Sequence, residues 1–212
     1  VIQQTISIEE FSDLCQRVFT RHGFTDEEVE ACTDEVVDTQ CWGMNSHGAA
    51  LISLYLEFKR EGTVGPIELL KETPLTAHPE GNNNAGPIVP RRAMDIAIEK
   101  AQTNGIGIVG ARNRSPFILA GFYPRKAAEQ GLIGINFGPG GYIDIPAYGG
   151  MDLIMSTNPT GLAVPGKDGP VVLDMAFSSL RLAVGDQSGT DCKGYRGLKT
   201  GSCRKKVCQQ RT

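Results

Sequence analysis

The sequence predicts a mixed α/β protein with a helical N-terminal unit, and three observations carry that reading. The first 75 residues hold three apolar stretches with helical spacing. Residues 76–187 alternate short β-branched runs with further helical stretches. No Gly-x-Gly-x-x-Gly stands between a strand and a helix, so the fingerprint of a doubly wound dinucleotide fold is absent.

The elements follow in chain order. Ser7 is a helix cap, and Ile8, Phe11, Leu14, Val18 and Phe19 recur behind it at roughly 3.6-residue spacing until Gly23. Thr25 with Glu28 forms a second capping sequence, followed by Val29, Cys32, Val36 and Val37 on one side. A third helix runs from Gly48 through Leu51, Leu54, Tyr55 and Phe58 to Gly62. The cluster 80–86 is a turn. Residues 91–103 are helical, 106–109 a strand, 120–130 helical and 132–137 a strand. Glycine and proline crowd residues 138–150, and Val171 to Met175 reads as a buried strand ending in a carboxylate.

From Ser188 the composition changes. Seven basic side chains face Asp191 alone, a net +6, which leaves −9 on residues 1–187. With so few apolar side chains this tail cannot pack a core, and it is expected to be disordered. The expected organisation is therefore 1–75, 76–187 and an atypical basic tail, 188–212.

A net charge of −3 argues against nucleic acid as the main partner. No apolar run approaches the roughly 20 residues that span a bilayer. The first residues show no basic stretch followed by an apolar one, so a cytoplasmic location is the expectation. Cys15, Cys32 and Cys41 sit in helical sequence without metal spacing and read as reduced thiols, mostly buried. Three scattered histidines and no CxxC or HExxH argue against a metal site.

Ser46-His47-Gly48 is the most informative segment. Histidine titrates near neutrality and suits proton transfer at a carbonyl. The competing reading is a helix cap made by Ser46, with His47 beside it. His22 suits a helix C-terminus, and His78, before Pro79, suits a loop. Gly138-Pro139-Gly140-Gly141 is either a phosphate cradle or a plain turn. Asp174 either holds a ribose or serves as a cap or turn residue.

An ordered set of residues carries a resemblance. Asp38, Gly43, Ser46-His47-Gly48, Tyr55 and Gly62 come first, then Gly105-Ile106-Gly107, Asn113, Phe117, Ala120-Gly121 and Tyr123. Pro146, Gly149-Gly150, Thr157-Asn158-Pro159 and Asp174-Met175-Ala176 with Ser178 complete it. From about residue 5 to about 186 this order resembles the malate/L-lactate dehydrogenase family, which includes ureidoglycolate, sulfolactate and diketogulonate oxidoreductases.

The resemblance implies a helical unit plus a nucleotide domain on a largely antiparallel, non-Rossmann sheet, assembled as a homodimer. It implies hydride transfer between NAD or NADP and a small 2-hydroxy or 2-oxo acid. His47 would be the proton donor and acceptor, assisted by Ser46, with Thr157 beside the substrate. Phe117, Asp174, Met175 and Ala176 would line the cofactor. Three departures stand against a plain copy. The family's substrate-binding arginine is replaced by Leu51, which cannot form a bidentate ion pair. A second family histidine is replaced by Pro116, and the sequence after Gln187 matches nothing in the family. The tail reads as a truncated or frameshifted end. A catalytically incomplete relative that binds a nucleotide or partner without turnover is the alternative.

Overall fold

The computed structural model describes residues 5–62, 65–84, 86–113, 117–139, 145–146 and 152–176. Helix α1 spans Ile8–Arg21 and α2 spans Asp26–Cys41. Both open on complete capping boxes, Ser7 with Glu10 and Thr25 with Glu28, which satisfy amide groups a helix start leaves unpaired. A 3₁₀ turn, Ala49–Leu51, leads into α3, Ile52–Glu61. Around them lies a core of Cys15, Phe19, Phe24, Cys32, Val36 and Tyr55.

The buried faces differ from the expected ones. In α1 the stripe centres on Cys15 and Phe19, while Ile8 and Leu14 are exposed. In α2 it includes Glu28, Glu35 and Thr39 beside Cys32 and Val36. Helical period alone cannot say that a carboxylate belongs to the buried side; only its partners decide that.

Strands β1, Glu68–Glu72, and β2, Thr76–Glu80, pair antiparallel. Helix α4, Ile88–Asn104, then carries the chain to β3, Ile108–Val109, which lies parallel to β2. A parallel neighbour needs such a long crossover. Neither β1 nor β2 was expected. Glu68-Leu-Leu-Lys-Glu72 has helix-forming composition, and Pro79 interrupts β2 beside an irregularity in β1. His78 consequently lies in a strand, exposed, and not in a loop. Helix α4 starts at Ile88, ahead of the expected Arg91, because Pro90 is tolerated in a first turn.

Helix α5, Phe122–Glu129, is followed by β4, Gly134–Phe137. Short strands β5, Ile145–Pro146, and β6, Leu153–Met155, pair with each other. Strands β7, Pro159–Val164, and β8, Val171–Ala176, complete a second sheet in the order β4-β7-β8. Every ladder among the described residues is antiparallel except β2–β3, in keeping with a largely antiparallel architecture.

Helix α5 sits directly on this sheet. A Cβ at Gly161 would overlap the Ala120 carbonyl, so the central strand can approach the start of α5 only as glycine. The opposite face is bare. Ile135, Phe137, Val171, Leu173 and Met175 are all exposed. Strand β8 is thus half-buried with strict alternation, not buried on both sides, because one face alone has a partner. The expected tail lies outside the described residues, as do Pro116, Gly140-Gly141, Gly149-Gly150 and Ser178.

Candidate functional site

Helix α2 delivers Ser46 and His47. It ends in a tight C-cap: Gly43 has φ +76°, its amide donates to the Gln40 carbonyl, and the Met44 amide donates to the Thr39 carbonyl at 3.2 Å. That crossed pair turns the chain sharply and requires the left-handed conformation glycine adopts freely. The Gln40 side chain then staples the following loop. Its Nε2 donates to Asn45 Oδ1 at 2.6 Å, and its Oε1 accepts from the Ala49 amide at 3.2 Å. Gly48 lies against Gln40 so closely that a Cβ would meet the Gln40 backbone at 3.2 Å.

Within this loop Ser46 Oγ lies 2.8 Å from His47 Nδ1. Ser46 caps nothing: neither the 3₁₀ turn nor α3 has a side-chain cap. The hydroxyl instead faces the ring. A serine hydroxyl donates and accepts, so it serves neutral imidazole and imidazolium alike. It accepts from Nδ1–H when the ring is charged and donates to Nδ1 when Nε2 carries the proton. Leu51, in the position where the family carries arginine, is buried in the core.

A carboxylate that sequence reasoning missed joins this helix to the rest. Glu35 in α2 is fully buried. It accepts from the hydroxyl of Tyr55 in α3, from the hydroxyl of Tyr123 in α5 at 2.8 Å, and from the Leu119 amide at 3.2 Å. Burial pushes its carboxyl up to about 6, against the opposing pull of those hydrogen bonds. Burial, with Glu35 nearby, also holds the Tyr55 phenol well above its ordinary value. The available signal was spacing: Glu28, Cys32, Glu35 and Thr39 repeat at four, three and four residues, one face of a helix. One turn beyond Glu35, Asp38 pairs with Arg125 of α5, whose guanidinium lies over the Trp42 and Phe122 rings.

The remaining candidates gather at α5 and its sheet. Phe117 is half-buried, edge-on to Tyr123 with centroids 5.3 Å apart. Asp174 lies within β8 rather than at its end, and its Oδ2 accepts from the Gly121 amide at 2.5 Å. It therefore caps the start of α5 from across the sheet. Met175 is exposed and Ala176 half-buried. Thr157 is half-buried between β6 and β7, next to Asn158 at φ +48°. The Gly138 amide donates to the Pro159 carbonyl, so this first residue of the supposed phosphate cradle continues the sheet ladder.

Cys15 and Cys32 play no chemical part in this arrangement. Burial raises the Cys15 thiol to about 11 and raises Cys32 further, so both stay protonated at neutral pH. Among the described residues no cluster of His, Cys, Asp and Glu has the makings of a metal site. Likewise no helix is long and apolar enough to cross a membrane.

Comparison with known proteins places this geometry. The family described as malate/L-lactate dehydrogenase matches residues 6–185. A malate dehydrogenase of Pyrococcus horikoshii is 36% identical over 198 residues, covering 90% of this chain and 55% of the relative. An L-sulfolactate dehydrogenase of Methanocaldococcus jannaschii is 34% identical over 169 residues, covering 77% and 48%. The solved structure of the Pyrococcus horikoshii malate dehydrogenase superposes with a TM-score of 0.80 at 34% identity, over 85% of this chain and 52% of that one. The chain thus spans about half the length of the curated relatives it matches.

Proposed function

Because the chain belongs to the malate/L-lactate dehydrogenase family, we propose that it carries the acid/base part of an NAD(P)-dependent oxidoreductase acting on a small 2-hydroxy or 2-oxo acid. The observation that carries the reading is the Ser46 Oγ–His47 Nδ1 hydrogen bond in a loop stapled at both ends. In the reducing direction His47 gives a proton to the substrate's 2-oxo oxygen; in the oxidising direction it takes the hydroxyl proton. Ser46 holds the ring in both states by accepting from Nδ1–H, which leaves Nε2 to give and take the proton without reorganisation.

A nicotinamide cofactor supplies the hydride when bound. The half-buried Phe117 and Ala176 and the Thr157 hydroxyl suit such a group in chemistry, apolar surface with a hydroxyl for a polar edge, while Met175 stands on the opposite face of β8 from Ala176. Thr157 is assigned to the substrate side. Asp174, held against the Gly121 amide at the start of α5, is assigned to the cofactor side. The same reading carries a homodimer, a cytoplasmic location and the division into 1–75, 76–187 and 188–212.

Leu51 favours a second reading. With that position buried and apolar, the substrate carboxylate lacks its family partner, as expected of a chain that binds nucleotide without turnover. The oxidation of NADH and of NADPH by the 212-residue chain, followed at 340 nm with a panel of 2-oxo acids, separates the two. Turnover that falls by ~10²-fold or more in His47→Ala supports the acid/base role. Equal rates in both proteins remove it. Calorimetric cofactor binding with no turnover of any acid supports the second reading.

A further inference from the structure

We propose that Glu35 is a positioning residue that locks the His47-bearing helix to the Phe117-bearing loop. The proposal deepens the function above and rests on its assignment of His47 and Phe117. Three segments converge on one carboxylate, and each carries a part of the site. Helix α2 runs from Glu35 to the stapled loop holding Ser46 and His47. Helix α3, reached through Tyr55, is the segment into which that loop feeds. The Leu119 amide and Tyr123 hydroxyl bind Phe117's loop and α5 to the same oxygen, Oε1.

The surroundings make the lock sensitive to its own charge. The groups facing Glu35 are Tyr55, Tyr123, the Leu119 and Ile118 backbone and, on its own helix, Cys32. All are neutral. Among the described residues no ion pair reaches Glu35, whereas the other buried carboxylate of α2, Glu28, pairs with Lys59 at 2.5 Å. An ionised Glu35 accepts from all its partners at once, through charge-assisted bonds. A protonated one becomes a donor on one oxygen, so one hydroxyl partner must accept from it instead, and the cost of burying the charge is removed. The carboxyl titrates at about 6, inside the range a cell or an assay visits. Below it the closed fold takes up a proton that an opened one, titrating near 4.5, does not hold, so the Phe117 loop and α2 are coupled more tightly.

Amide hydrogen exchange on the 212-residue chain tests this without any need for turnover. In the wild type, protection at Leu119 and at residues 44–49 is expected to rise as pH drops from 7.5 to 5. In Glu35→Gln the same amides exchange about tenfold faster at pH 7.5, and their protection no longer depends on pH. Glu28→Gln leaves them at the wild-type level, because its carboxylate serves a different pair. Uniform acceleration across α1, α2 and α3 in Glu35→Gln would reduce the residue to a structural role and overturn the proposal. Should that variant not fold, the wild-type profile still decides: protection at Leu119 unchanged between pH 5 and 7.5 overturns it. Loss of NAD(P)H oxidation would bear on the proposed reaction and not on this lock.

Discussion

The helical end of the molecule and its second sheet solve the same burial problem to different extents. Around Phe19 and Tyr55, three helices close on one another, and even the polar groups inside, Glu35 and Thr39, have partners within the fold. The β4-β7-β8 sheet closes on one side only. Its inner face takes α5 at backbone contact, while its outer face shows Phe137 at 69% and Val171 at 64% exposure. Beside it, α4, β3 and β4 line an apolar cavity of about 760 Å³. A contiguous apolar surface of this kind is unusual on a self-sufficient domain. The comparison teaches that stability here is concentrated at the helical end, where the proposed proton-transfer pair is built.

The sharpest way to break that comparison is truncation in the helical core. Phe19→Ala is expected to cost roughly 3–5 kcal/mol, the range for emptying a filled aromatic site. Urea unfolding followed by far-ultraviolet circular dichroism measures it, and a loss under ~1 kcal/mol would deny the helical end its special standing.

A smaller effect is expected from pH. The Glu35 carboxyl titrates near 4.5 when unfolded and about 6 when folded. Between those values the folded chain holds the extra proton, so stability falls as pH rises through the window and levels off above it. The shift corresponds to about 2 kcal/mol. Unfolding midpoints collected from pH 4 to 7 in wild type and Glu35→Gln should differ in slope within that window, the variant being flatter by that amount.

The least effect belongs to the bare face. Ile135→Thr removes apolar surface that is already half in water, and the expected change is within about 0.5 kcal/mol. A loss of 2 kcal/mol or more in the same unfolding assay would mean that something covers β4 in solution.

The sequence made the helical end legible because its signals are local. The caps at Ser7 and Thr25 involve neighbours only, and both form as spacing predicts. The Ser46–His47 pair is adjacent, so its candidacy is visible too, although the motif alone favours a cap; that Ser46 faces the ring is seen only in the fold. Glu35 was not legible. An acidic residue in an amphipathic helix reads as solvated unless Tyr55, Leu119 and Tyr123, 20 to 88 residues away, are known to surround it. Strand β1 was lost for a related reason: its five exposed residues have no apolar pattern, and pairing with β2 makes them a strand. Asp174 is read with two roles open, and its bond to the Gly121 amide, 53 residues away in the chain, is visible only in the fold.

The staple formed by Gln40 has a consequence in time. Every bond that shapes the loop, from the Thr39 carbonyl to the Ala49 amide, closes within eleven residues. Segments of that length bring their ends together in about 10–100 ns. The backbone setting of the proposed acid/base pair is therefore among the earliest features the chain can acquire, before β2 finds β3 or α5 settles on its sheet. During synthesis it can take shape before α5 and the second sheet have left the ribosome.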